Sequence, residues 1–317
     1  MNYTTLSLAA TAKPFVKWVG GKRQLLAEIA GTVSPLMRDG SVTTYVEPFV
    51  GGGAILFWML ENFPQLRRVI INDINADLTT AYMTVRDNVE KLISLLEELQ
   101  FEFHSLHSHD SEQDYYYAKR ERYNLKNLDA VENTALFIFL NRTCFNGLYR
   151  VNASGLFNVP FGRYAKPQIC DEETLLADSE LLQNVEIFTG DFSRMKIFAS
   201  DDTLFYLDPP YKPLTATSSF NSYAKEDFGD SEQIRLKEFC DAIDTRGASW
   251  LLSNSDVRSN DPGNDFFDAL YTDYNIQRVW ASRSVNANPD KRGRLTEIMV
   301  SNIGFVRDVD QYEEVAL

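Results

Sequence analysis

Cysteine is scarce in this chain. Cys144, Cys170 and Cys240 are scattered over 317 residues without metal-type spacing, so neither a disulfide framework nor a thiolate metal cluster is expected. Histidine is equally rare. His104, His107 and His109 fall in a polar Ser/Asp-rich stretch with no cysteine nearby, and they read as solvated side chains rather than metal ligands. No apolar run approaches the roughly 20 residues that cross a bilayer. Residues 1–13 lack the basic flank and apolar stretch of a signal peptide. These absences point to a reduced, cytoplasmic protein with no metal and no membrane partner. Positive charge is short as well. With 31 Lys and Arg against 45 Asp and Glu, the net charge is −14, which speaks against a surface that grips polyanions everywhere.

The positive charge that is present lies unevenly. From Lys119 to Lys166 there are eight basic residues (Lys119, Arg120, Arg122, Lys126, Arg142, Arg150, Arg163, Lys166) and three acidic ones (Glu121, Asp129, Glu132), a local +5 in a chain whose remainder carries −19. A second basic knot, Arg283 with Lys291, Arg292 and Arg294, faces only Asp290. Phosphate contacts need local rather than total positive charge, so both segments are candidate nucleic-acid surfaces.

Short β-branched or aromatic runs recur at 45–49, 69–72, 185–189, 203–207, 249–252, 277–281 and 297–302. Several are apolar throughout, as strands buried on both faces of a sheet would be. Between some of them a helical period appears, in Leu78, Tyr82, Val85, Val89, Leu92, Leu96 and Leu99 and again over 234–243. That alternation implies an α/β sheet with helices on both sides. Between roughly 75 and 186 the strand signal fades. Residues 115–123 and 131–143 are helical in period, and 144–162 is rich in Gly and Asn. A mainly helical insertion is therefore expected to divide the sheet domain, and 308–317 reads as a loose acidic tail.

The strongest chemical signal is Asp208-Pro209-Pro210-Tyr211, directly after the expected strand 203–207. Open α/β sheets bind ligands beyond the carboxyl ends of their strands. An aromatic amine is a poor nucleophile because its lone pair is delocalised into the ring. A carboxylate (Asp208) and a backbone carbonyl (Pro209) that both accept its N–H bonds would favour a pyramidal nitrogen with the lone pair directed outward. Pro210 adds a fixed φ to the loop, and Tyr211 offers a face on which a flat base can stack. A bare surface turn is the plain alternative, but it leaves the strand in front unexplained.

Upstream, Glu47-Pro48-Phe49-Val50-Gly51-Gly52-Gly53 also follows a strand, and its glycines permit a tight turn and close approach to a ligand. Asp73 stands just after the next strand, where a carboxylate accepts the hydroxyls of a ribose; alone it would read equally as a helix cap. Near the start of the chain, Trp18 and Lys22 flank Gly20-Gly21 in Lys17-Trp18-Val19-Gly20-Gly21-Lys22.

Taken in order, these pieces resemble the Dam-type, D12-class DNA adenine-N6 methyltransferases over nearly the whole chain. The resemblance includes the long stretch from Leu140-Asn141-Arg142 through Asn146-Gly147-Leu148-Tyr149-Arg150 to Phe161-Gly162-Arg163-Tyr164. It implies a Rossmann-like methyltransferase core over 1–74 and 186–307, with a helical target-recognition domain inserted at 75–185. It implies S-adenosylmethionine as methyl donor, S-adenosylhomocysteine as product and no metal. By resemblance, Trp18, Lys22, Glu47, Phe49, Gly51, Asp73, Asp191, Phe192 and Asp208 contact the cofactor. Asp208, Pro209, Pro210 and Tyr211 hold the target adenine, flipped out because its N6 cannot meet a sulfonium methyl while stacked in the duplex. Arg142, Asn146, Arg150, Asn152, Arg163 and Arg292 are expected on double-stranded DNA, with Phe220 and Tyr223 closing over the pocket. The implied enzyme is a monomer or weak dimer, and a cognate restriction endonuclease is a functional partner the resemblance leaves open.

GATC is the site the resemblance suggests. The tip that follows Asn152 reads Ala153-Ser154-Gly155-Leu156, however, and lacks a basic residue suited to a guanine. Two other classes stay open on sequence alone: a binding module that kept the fold without catalysis, and a methyltransferase of RNA or a small amine.

Overall fold

The computed structural model describes residues 12–20, 22–211, 228–259, 261–282 and 294–305. Phe220, Tyr223, Arg292 and the tail 308–317 lie outside them. The chain divides into two compact units. One takes the residues up to Val19, Gly52–Asn62 and Ala76–Val185; the other takes Gly20–Gly51, Phe63–Asn75 and the described residues from Glu186 onward.

The second unit is built on the sheet. Its strands are β1 (Thr44–Glu47), β2 (Arg68–Asp73), β3 (Val185–Thr189), β4 (Thr203–Leu207), β5 (Ser249–Ser255), β6 (Asn275–Ser282) and β7 (Arg294–Ser301). They lie in the order β3-β2-β1-β4-β5-β7-β6. Every residue of β1 and β4 is buried, which is why their sequences are apolar runs rather than alternations. β1 pairs in parallel with β2 on one side and β4 on the other, with Val46 opposite both Ile70 and Phe205. The strand order reverses between β1 and β4, and the carboxyl ends at such a reversal are where open α/β sheets bind ligands.

All seven stretches read as strands from sequence are strands. β5 runs three residues further than its apolar run, through Ser253, Asn254 and Ser255, because these buried polar groups find partners. β7 lies antiparallel between β5 and β6, a placement its apolar composition did not distinguish from parallel pairing. The core under the sheet holds Phe205, Phe239, Trp250 and Tyr271, all buried. α7 (Asp230–Asp244) covers it with Leu236, Phe239, Cys240 and Ile243. α1 (Leu26–Arg38), which has Pro35 inside it, and the short α8 (Phe266–Leu270) are the other α-helices of this unit among the described residues.

The first unit is helical, as its sequence periods suggest: α2 (Ala54–Asn62), α3 (Ala76–His104), α4 (His109–Asn124), α5 (Ala130–Thr143) and α6 (Glu172–Leu182). α3 buries Leu78, Tyr82, Val85, Leu92, Leu96 and Leu99. Val89 is only half-buried, because Asn88 leaves helical geometry (φ −142, ψ 33) and shifts the apolar stripe. Ser108 and Ser111 form a reciprocal capping box that starts α4, and the Asp129 carboxylate caps α5. α6 has too weak an apolar period to be read from sequence. It is started by Asp171, which accepts from the Thr174 amide, with Glu172 and Glu173 in the first turn.

Asp178 of α6 is fully buried. It accepts the Lys13 backbone N–H at 3.0 Å on Oδ1, and its Oδ2 is enclosed without a partner. Burial pushes its carboxyl up to about 8. A folded-state value above the ordinary one favours folding when the group is protonated. That contribution is complete below about pH 4 and is lost as pH rises through about 8. Asp178→Asn is therefore expected to raise the denaturant midpoint at pH 9 and to flatten the decline of stability between pH 5 and pH 9. Parallel curves for the two proteins would contradict this.

Candidate active site at the carboxyl ends of the central strands

The 3-10 turn Lys22–Leu25, the loop after β4 and strands β5 and β7 all belong to the sheet unit, and together they assemble one polar cluster. Lys22 is 5% exposed, and its Nζ lies 2.9 Å from Asp208 Oδ1 and 4.0 Å from Glu297 Oε2. The same ammonium donates to the Gly20 carbonyl at 3.2 Å and to the Tyr211 hydroxyl, and it lies 4.1 Å from the centre of the Tyr211 ring. Tyr211 in turn donates its hydroxyl proton to Glu297 Oε2 at 2.5 Å. Ser253 of β5 donates to Asp208 Oδ1 at 3.3 Å and is itself 3.1 Å from the Tyr206 hydroxyl. Burial raises the Asp208 carboxyl above the ordinary carboxylate range, and the Lys22 ammonium opposes that rise. Among the described residues both donors fall on Oδ1. Pro209 is buried and Pro210 exposed, which fixes the loop between a packed and a solvated side.

Two more carboxylates stand at neighbouring strand ends. Glu47 closes β1 but is 2% exposed. It accepts the Tyr45 hydroxyl at 2.8 Å, and burial drives its carboxyl well above the usual range. Asp73 ends β2 and accepts backbone N–H groups from Gly51 (3.1 Å) and Asn75 (2.9 Å). Its carboxyl too is raised by burial, with those amides opposing the shift. Gly51 has φ +49, a conformation that favours glycine, and the turn it makes brings its amide to Asp73.

A small aromatic wall stands beside these acids. Phe49 lies 5.1 Å from Phe192 and 6.0 Å from Phe228, ring centre to ring centre. Asp191 starts the 3-10 turn Phe192–Phe198 by accepting the Ser193 amide. Arg235 of α7 grips the Asp191 carboxylate with two bonds of 2.9 and 2.8 Å and lies 4.3 Å over the Phe192 ring. That grip holds the Asp191 carboxyl down at about 2. The sheet unit thus holds Glu47, Gly51, Asp73, Asp191 and Asp208 at or just beyond the carboxyl ends of its strands, with Lys22 on Asp208. Phe49 is half-buried, and Phe192 is packed into the core beneath Arg235.

In the helical unit, Trp18 stacks on Tyr149 at 5.6 Å and leans on Phe137. The Tyr149 hydroxyl donates to Asp77, a carboxylate that also accepts from Tyr123 (2.6 Å), Lys126 (3.0 Å) and Asn133 (3.3 Å). Residues 144–162 form an irregular two-stranded arm, held by Asn158 N–H on the Arg150 carbonyl and Asn152 N–H on the Leu156 carbonyl. Asn146 (φ +56) and Arg163 (φ +57) are exposed on it in a left-handed backbone conformation.

The contacts of the basic segment could not be read from composition. Lys119 pairs with Glu102, Arg122 with Glu132 and Lys126 with Asp77. Arg150 bonds Asn158, and Arg120 and Arg142 donate to the backbone carbonyls of Val159 and Phe15. Among the described residues only Arg163 and Lys166 of the eight engage neither a carboxylate nor a carbonyl. Asn152 is exposed, but its Oδ1 accepts the Ser154 and Leu156 amides at 3.0 Å each and so shapes the tip.

Sequence reasoning missed Ser253, Tyr206, Glu297 and Arg235. The signal for the first three was a polar side chain inside an otherwise apolar strand; Arg235 gave none.

A family model for D12-class N6 adenine-specific DNA methyltransferases matches residues 18–285. A Type II methyltransferase of Methanocaldococcus jannaschii is 45% identical over 92% of this chain and 99% of its own length. A Type II methyltransferase of Lactococcus lactis subsp. cremoris is 38% identical over 92% and 96%. The DNA adenine methylase of Haemophilus influenzae is 34% identical over 90% and 92%.

The glycine loop offers a direct test of its close packing. Gly53 has φ +79, and a Cβ there would overlap the hydroxyl of the fully buried Tyr82. Gly40 has a similar φ of +75 with nothing within 4 Å. Gly40→Ala should lower stability by about 1–2 kcal/mol, the backbone cost alone. Gly53→Ala should lose clearly more in the same thermal or denaturant melt. Equal losses would show that the approach to Tyr82 imposes nothing.

Proposed function

The chain belongs to the D12 class of N6 adenine-specific DNA methyltransferases, and from that membership we propose that it moves the methyl group of S-adenosylmethionine to N6 of an adenine flipped out of duplex DNA. The observation that carries this reading is the loop after β4. It lies beside the point where strand order reverses, with Asp208 held at Oδ1, the Pro209 carbonyl on a buried proline and the Tyr211 ring fixed at its hydroxyl.

The residues present fit the cofactor. Asp73 is a half-buried carboxylate whose partners Gly51 and Asn75 are backbone amides, and two ribose hydroxyls are the donors it suits. Phe49, half-buried beside Phe192, supplies apolar surface for a purine. S-adenosylmethionine supplies an electrophilic methyl group on a sulfonium. Asp208 and the Pro209 carbonyl accept the two N6 hydrogens and aim the nitrogen lone pair, and Tyr211 backs the base. Asp208 is thus an orienting group first. The proton is shed after the nitrogen has been made acidic by methylation.

We further propose that 75–185 reads the DNA, with Arg163, Lys166, Asn146 and the arm tip as its contacts and GATC or a related short site as the target. Arg142 serves that segment through its bond to Phe15 rather than through phosphate. Two relatives are named Type II methyltransferases, so a restriction endonuclease is a fitting functional partner.

Transfer of tritiated methyl to unmethylated bacterial DNA tests the reaction. Asp208→Ala should stay folded and lose at least 100-fold in rate, the usual contribution of an orienting group; a variant retaining a tenth of the parent rate sinks the assignment. Asp73→Ala should weaken S-adenosylmethionine binding by tenfold or more with duplex affinity nearly unchanged, an effect of about 1.4 kcal/mol. Unchanged cofactor affinity in calorimetry would return Asp73 to a capping role.

A further inference from the structure

Glu297 is the one acid in the described part of β7, between Thr296 and the fully buried Ile298. A carboxylate inside a strand that pairs on both sides, with 22% of its side chain exposed, is held in one orientation only by specific partners. Its register opposite Ser255 of β5 and Val279 of β6 places it next to the loop after β4. Its Oε2 accepts the Tyr211 hydroxyl proton at 2.5 Å, and Lys22 Nζ is 4.0 Å away. Tyr211 Oη therefore gives its proton to Glu297 while accepting one from Lys22, and the ring is tethered at its far end from two directions. Stacking of a base on an aromatic face is worth about 1–3 kcal/mol, and the ring must lie in the right plane to deliver it. A phenyl ring could supply the face. Only a phenol supplies a handle by which the protein fixes the plane.

We infer that Glu297 is a positioning residue for methyl transfer, acting through the Tyr211 hydroxyl to fix the ring against which the target adenine stacks. This rests on the adenine reading above. The residue touches neither cofactor nor base. Its effect lies in the geometry of the reacting complex, so it should appear in the rate of the chemical step and not in cofactor binding. Lys22 faces two carboxylates, Asp208 and Glu297, and a role for Glu297 as its counter-ion alone is the competing account.

The test uses the full chain and a duplex whose methylated site has first been located by modified-base sequencing. Single-turnover rates at saturating cofactor and DNA are compared for the parent, Glu297→Ala, Glu297→Gln, Tyr211→Phe and Tyr211→Phe with Glu297→Ala. Glu297→Ala should slow the step by about 10- to 100-fold, the range for a reacting group displaced by about 1 Å, and leave the KM for S-adenosylmethionine within twofold. Glu297→Gln keeps an oxygen acceptor and should recover most of the rate. In the Tyr211→Phe background Glu297→Ala should cost nothing further. A full-rate Glu297→Ala enzyme overturns the proposal, and so does an undiminished loss in the Tyr211→Phe background, which would assign Glu297 to Lys22. Should Glu297→Ala melt below the assay temperature, Tyr211→Phe and Glu297→Gln decide. A parent rate in Tyr211→Phe overturns the proposal, and a slowed Tyr211→Phe with near-parent Glu297→Gln supports it. Asp208→Ala separates the two levels: if it keeps a tenth of the parent rate or more, the adenine reading has failed, not merely this refinement.

Discussion

One buried ammonium organises the pocket. Lys22 is almost wholly enclosed, and a cation in that position is tolerated only when it is paired and hydrogen-bonded. Its partners come from three places in the chain: Gly20 beside it, Asp208 and Tyr211 in the loop after β4, and Glu297 on β7. The antiparallel insertion of β7 between β5 and β6 matters for this reason. Without it Glu297 would not reach Lys22, and Tyr211 would lose the acceptor for its hydroxyl. The ion pair also sets which Asp208 oxygen is engaged. Among the described residues Lys22 and Ser253 both take Oδ1.

Electrostatics in the sheet unit follow from the same constraint. Three carboxylates, Glu47, Asp73 and Asp208, stand at the ends of adjacent strands, and each is raised chiefly by burial. Their partners differ, and the difference sorts them. Glu47 has a tyrosine hydroxyl. Asp73 has backbone amides, and Asp208 has an ammonium.

The sheet was legible because β1, β2 and β4 are apolar runs followed by loop residues that only a strand end would present: Gly51-Gly52-Gly53, Asp73 and Asp208-Pro209-Pro210-Tyr211. The long stripe of α3 was legible except at Val89, where a kink at Asn88 breaks the period. Pairing direction was not legible, since β7 is as apolar as a parallel strand. The local charge of the basic segment was counted correctly, but a count does not say where each charge points. Glu102, Asp77 and Glu132 take Lys119, Lys126 and Arg122, and two of those acids lie outside the segment. Asn152 illustrates the same limit, because its side chain closes a turn that only the folded arm creates. Glu297 was visible as an acid in an apolar strand, but its partner lies 86 residues away and needs the fold to be seen.

Family membership accounts for the order of the motifs, and the pocket accounts for what they do. The claim that joins them is that this chain places a methyl group on adenine N6 in duplex DNA. The most direct measurement is modified-base sequencing of DNA from a methylation-deficient host that expresses the chain, beside the same host without it. N6-methyladenine confined to one short sequence, and absent from the control, is the result the account predicts. DNA free of new modification despite abundant folded protein, or methylation of cytosine instead, would contradict it.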